Sequence, residues 1–105
     1  MNYNRIDRFS STLRKNLTDI FLFEINNQKL KKTSIIDVII SKDLKSAKVV
    51  FFNGQIKDER EIIKELIRAK GFIKKLLSQK MYLKYVPELK FILGSGSKQT
   101  PRKDD

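Results

Sequence analysis

Apolar positions along the chain follow two kinds of spacing, and these divide it into elements. From Ile6 to Glu24 they recur at Ile6, Phe9, Leu13, Leu17, Ile20 and Phe21. Steps of three and four place them on one face of a helix. "NNQKLKK" then reads as a polar connection. "TSIIDVIIS", Thr33 to Ser41, is rich in β-branched residues and too short for a typical helix, so it predicts a strand. After the turn "SKDLKS", the stretch "AKVVFFN" (Ala47 to Asn53) sets Ala47, Val49 and Phe51 against Lys48, Val50 and Phe52. That alternation predicts a second strand, and so short a turn makes the pair an antiparallel hairpin.

Asn53-Gly54 by itself suggests another hairpin, but helical period returns after it. From Asp58 the pattern continues through Ile62, Ile63, Leu66, Ile67 and Lys70. Asp58 followed three residues later by Glu61 fits an N-cap and capping box. Gly71 then falls in mid-pattern, where glycine costs a helix about 1 kcal/mol relative to alanine. The expectation is a division: one piece up to Lys70, and a second from Phe72 to about Gln79. The two would meet at an angle, with the small Ala69 methyl allowing close packing at the bend. A glycine C-cap serving ordinary packing predicts the same bend. Valine at position 71 is expected to damage it and reduce stability.

"ELKFIL" (Glu88 to Leu93) alternates Leu89, Phe91 and Leu93 and predicts a third strand. A helical excursion between the second and third strands implies a right-handed crossover, so those two should be parallel. The predicted class is α+β, in the order α-β-β-α-(kink)-α-β, with all helices on one face of a three-stranded sheet. Residues 1–93 form the expected domain. The remainder, "GSGSKQTPRKDD" (94–105), cannot bury a core and is expected to be a disordered tail.

Composition narrows the function. One domain suits 105 residues. There is no Cys and no His, which removes disulfides, thiolate nucleophiles, imidazole bases and almost every zinc site. No clustered carboxylates suggest a magnesium site. Neither a cofactor nor an enzymatic activity is expected. No apolar run approaches the roughly 18 residues of a membrane span, and "MNYNRIDRF" lacks the apolar core of a signal peptide. Cytoplasmic residence is the default.

Net charge is +11, which points to a polyanionic partner if the charge is organised. Basic composition alone also arises in lysine-rich proteomes, so the arrangement decides. Asp58, Glu59, Glu61 and Glu65 open the long helical segment, as its dipole favours. From Leu66 through Pro87 there is no acidic residue, and Arg68, Lys70, Lys74, Lys75, Lys80 and Lys84 lie in that stretch. Dipole compensation accounts for two or three of these, but not for a run that crosses the glycine and enters the next loop. Arg5 and Arg8 sit at the start of the first helix, where the dipole disfavours cations. Cations around a backbone that glycine leaves approachable suit phosphate binding. Tyr82 and Tyr85 offer rings for base stacking, although half-buried tyrosines are commoner than base platforms. Use of the patch on a membrane surface is disfavoured, because the apolar face is needed for the core.

These residues resemble a family. The element order is similar to the type II KH domain, an RNA-binding fold, but the GxxG loop of that fold is missing. In its place stands Ala69-Lys70-Gly71, which resembles the Ala-x-Gly kink of the KH-like ribosome-binding factor A family of bacteria. "SKDLKSAKVVF" resembles that family's strand-turn-strand segment on Ser41, Asp43, Leu44, Ala47, Lys48 and Val49. "AKGFIKKLL" resembles its Ala-x-Gly-Phe-Ile-basic helix. "LKYVPELKF" resembles its strand entry on Pro87, Glu88, Leu89 and Phe91. Arg5 and Arg8 match the basic pair that opens its first helix. The resemblance covers residues 3 to 93. "NNQKLKK" departs from the family's Asp-Pro-Arg-Leu-like element, and the tail departs from its usual C-terminal continuation.

The resemblance implies a non-catalytic assembly factor that binds the small ribosomal subunit and its immature ribosomal RNA. It would assist late maturation and RNA processing, with a role in growth in the cold. It would be a monomer, with no small-molecule substrate and no membrane partner. The RNA contacts expected are Arg5, Arg8, Arg68, Lys70, Gly71, Lys74, Lys75, Lys80 and Lys84, and the bend would gather Arg68, Lys70, Lys74 and Lys75 along one edge. Charge reversal at Lys70, Lys74 and Lys75 is expected to abolish binding and leave the fold intact. Two alternatives stay open: a general single-stranded nucleic-acid module, and a basic domain that docks an acidic protein. A nuclease is a third and weaker one.

Overall fold

The computed structural model describes residues 3–55 and 57–94. The expected tail, beyond Gly94, lies outside the described residues. The first helix, α1 (Tyr3–Asp19), is followed by a single π-helical turn at Ile20–Glu24. The turn closes with the Ile25 N–H donating to the Ile20 carbonyl at 3.1 Å, a five-residue step that leaves Ile20 and Phe21 buried. Leu13 and Leu17 are fully buried, and Ile6 and Phe9 pack against them. The apolar stripe therefore holds, although its last turn is wider than an α-helix.

β1 (Thr33–Ile40) pairs antiparallel with β2 (Ser46–Asn53), and β2 pairs parallel with β3 (Glu88–Leu93), in the order β1-β2-β3. The hairpin turn is closed by Ser41 and Asp43. Ser41 Oγ donates to Asp43 Oδ1 at 2.6 Å, and the same oxygen accepts from the Lys45 N–H at 3.0 Å. Leu44 takes a positive φ of 62° there. Ala47, Val49 and Phe51 are completely buried, as the alternation predicts. Phe91 meets Phe51 edge-on, with ring centroids 6.3 Å apart. One register shift separates Ile35↔Phe51 from Asp37↔Val50, so Ile36 bulges out of the ladder.

The connection between β2 and β3 is where expectation and structure differ. α2 runs from Glu59 to Met81 as one helix, helical through Gly71. The expected division into two pieces is not there. A Cβ added at Gly71 would meet nothing within 4 Å, so close packing does not require the glycine either. Ile62 and Leu66 before the glycine and Ile73 and Leu77 after it are buried on the same side of α2, with Ala69 partly buried between them, and that burial outweighs the local cost of one glycine. Asp58 is the N-cap, accepting from the Arg60 N–H at 3.0 Å.

The polar connection is more structured than its composition suggests. Leu30 is fully buried within a short 3-10 turn. Asn27 Nδ2 donates to Glu65 at 2.9 Å, and Lys29 Nζ donates to Glu61 at 2.7 Å. The buried Asn53 side chain donates to the Lys29 carbonyl at 2.8 Å and to Thr33 Oγ1 at 3.0 Å, and accepts from the Gln55 N–H at 2.9 Å. It ties the end of the hairpin to the connection before it.

Candidate nucleic-acid interface

An α-helix turns about 100° per residue, so the basic residues of α2 do not share one edge. Lys64, Arg68, Gly71 and Lys75 fall within roughly 60° of each other. All four are exposed, on the side away from the core stripe. Gly71 is thus a gap in a cationic ridge, with open space above it. Lys64 belongs to this ridge by its spacing of four from Arg68. Acidic neighbours hid it in the sequence.

Lys70 and Lys74 lie on a different flank, roughly 110° round the helix, beside β3. Their ammonium groups converge on Glu88, at 2.9 and 3.4 Å from its two carboxylate oxygens. The hydrogen bond from Lys70, then the charges of Lys70 and Lys74, hold the Glu88 carboxyl below its ordinary value of 4.5. The expected common edge of Arg68, Lys70, Lys74 and Lys75 is therefore two surfaces, one open and one already engaged by a carboxylate.

A third group forms where the start of α1 meets the end of α2. Arg5, Arg8, Lys80 and Tyr82 line a groove of about 430 Å³. Lys80 is held by Glu24 at 3.6 Å. Arg5 and Arg8 are exposed, with no carboxylate partner among the described residues. Lys84 sits in the following loop with its ammonium 5.7 Å from the centre of the Tyr85 ring. Arg68 has only a long 3.9 Å approach to Glu65.

These arrangements offer fixed cations and exposed aromatic faces, the chemistry of phosphate neutralisation and base stacking. Among the described residues, no group of His, Cys, Asp or Glu side chains is assembled to hold a metal ion. No described helix is long and apolar enough to cross a membrane.

Comparison with known proteins agrees with this fold. The sequence profile of the family "Ribosome-binding factor A" matches residues 5–104. A ribosome-binding factor A from Coxiella burnetii is 35% identical over 88 residues, spanning 84% of this chain and 74% of that protein. Among solved structures, the crystal structure of ribosome-binding factor A from Thermus thermophilus superposes with a TM-score of 0.75 at 17% identity, covering 89% of this chain and 98% of that one. A homology model of the Thermus thermophilus factor, fitted into a cryo-electron microscopy map of its complex with 30S, gives 0.70 at 19% identity, covering 85% and 94%. The structural likenesses show a shared fold. The profile match over nearly the whole chain goes further: this protein belongs to the ribosome-binding factor A family.

Proposed function

We propose that this chain is an assembly factor of the small ribosomal subunit, with residues 1–93 as its RNA-binding domain. It binds the subunit's immature ribosomal RNA and assists late folding and end processing by binding alone, as a cytoplasmic monomer without a cofactor. Family membership supports this, as does the 30S complex in which a protein of the same fold was fitted. The observation that carries it is the ridge of Lys64, Arg68 and Lys75 around Gly71. Nothing inside the fold needs a glycine there, so the missing side chain serves an approaching backbone from outside. Arg5, Arg8, Arg68, Lys75, Lys80 and Lys84 supply phosphate contacts. Lys70 and Lys74 contribute from behind Glu88.

Co-sedimentation with purified small subunits, large subunits and joined ribosomes at two salt concentrations tests the reading. Selective, salt-sensitive association with the small subunit supports it. Equal association with every RNA-containing particle supports a general nucleic-acid module. Association that survives nuclease treatment supports a protein-docking domain.

A further inference from the structure

α2 ends on Tyr82, in a conformation that its side chain resists. A φ of 55° and ψ of 42° put it in the left-handed region, where glycine or asparagine normally stands and a bulky residue is an outlier. The surrounding turn holds it there. The Ser78 carbonyl accepts from the Tyr82 N–H and from the Leu83 N–H at 3.0 Å, and Ser78 Oγ donates to the Leu83 carbonyl at 2.9 Å. None of these bonds uses the ring. The ring is also unburied, with Tyr82 93% exposed. The strain is offset by backbone bonds that any residue could make and by no contact of the ring, so the fold gains nothing from tyrosine in particular at this position. Strain without a folding benefit points to a functional contact.

The groove beside the ring gives that contact a chemistry. Arg5 and Arg8 line it with guanidiniums that lack a carboxylate partner among the described residues, and Phe9 and Leu83 supply apolar wall. An aromatic face next to two planar cations matches a nucleotide, whose base stacks and whose phosphate accepts the guanidinium fork. Tyr85 is less suited, because Lys84 already occupies one of its faces. A paired base has both faces covered by its neighbours, so the nucleotide must be unstacked and single-stranded.

We infer that the groove between the start of α1 and the end of α2 is a single-nucleotide subsite: an unstacked RNA base lies on Tyr82, and Arg5 and Arg8 take the flanking phosphates. The inference rests on the proposed RNA-binding function and assigns it a place and a strand type.

The test compares the full chain with Tyr82→Gly and Tyr82→Phe for binding to short single-stranded oligoadenylate, to a duplex RNA of equal charge and to small subunits. Thermal midpoints are measured alongside. Tyr82→Gly is expected to melt higher, because the strain is relieved, yet to bind single strands roughly tenfold more weakly, the order of one lost base stack. Tyr82→Phe should bind like the wild type. The chain has no Trp, so Tyr82→Trp supplies a single tryptophan, excited apart from the remaining tyrosines, that stacking should quench. Full retention of binding by Tyr82→Gly, a lower melting point for it, equal affinity for the duplex, or binding without quenching would each overturn the subsite. If the unaltered chain bound neither oligoadenylate nor subunits, the proposed function itself would fall. Undiminished subunit binding by Tyr82→Gly would remove only the subsite.

Discussion

Lys70 and Glu88, eighteen residues apart in the chain, are joined by a 2.9 Å ion pair that sets a carboxylate against the β3-facing flank of α2. Lys74 reaches the other oxygen of the same carboxylate at 3.4 Å. Two of the cations that look most available in the sequence are thereby part of the join between α2 and β3. Replacing Glu88 by Gln should release both, raising RNA affinity and steepening its salt dependence. The stability cost should stay within about 1 kcal/mol, because the pair is half-exposed and screened by solvent. Filter binding across a salt series, with a chemical melt, checks both effects.

Charge reversal should therefore act differently along one helix. Lys70→Glu would set a carboxylate against Glu88 and should lower stability as well as binding. Lys75→Glu lies on the open ridge and should weaken RNA binding with little change in melting. This replaces the expectation that all three lysines can be reversed without harm to the fold. With about six phosphates neutralised by the whole surface, the slope of log affinity against log salt should be about −4 on single strands.

Gly71→Ala separates folding from function. The added methyl meets nothing within 4 Å, so alanine should stabilise α2 by up to about 1 kcal/mol. The same methyl would stand in the gap of the cationic ridge, and RNA binding should weaken. A variant with a raised melting temperature and undiminished subunit binding would remove Gly71 from the interface.

Acid should loosen the protein at two surface points. Asp43 is held below its ordinary 3.8 by the Ser41 hydroxyl and then the Lys45 N–H, and Glu88 below 4.5 by Lys70. In both cases the folded state binds the proton less readily than the unfolded one. Their contribution is thus present at neutral pH and is lost as pH falls through these ordinary values toward the lower folded ones. Denaturation midpoints should be level above pH 6 and decline below about 4.5. Asp43→Asn should flatten part of that decline.

Asn53 is a buried polar residue whose side chain hydrogen-bonds to the connection, the first strand and the turn beyond. Asn53→Ala removes the donor to the part-buried Lys29 carbonyl and to the buried Thr33 hydroxyl. Such losses cost of order 2–3 kcal/mol, and urea unfolding should record it with RNA contacts otherwise intact.

Local pattern was enough for most of the fold. Alternation at Ala47, Val49 and Phe51 marked the inner face of β2, and the three-and-four spacing from Ile6 to Phe21 marked the buried side of α1. Asp58 announced the N-cap of α2 because a side-chain oxygen one residue before a helix reports local chemistry. The same reasoning misread Gly71. A propensity of about 1 kcal/mol suggested a break, while burial of Ile73 and Leu77 beyond it holds one helix together.

Charge shows the boundary most clearly. Residue order alone establishes that the protein is strongly basic, that its cations gather late in the long helix and at the start of the first one, and that three strands and two helical stripes can enclose one core. Which cations remain open depends on how the elements pack. Glu24 and Glu88 reach Lys80, Lys70 and Lys74 across long chain separations, and the packing of α1 against α2 brings Arg5 and Arg8 to Tyr82. Periodicity reports which way a side chain faces on its own element, but electrostatic partners are set by distance in space, which exists only once the elements have packed.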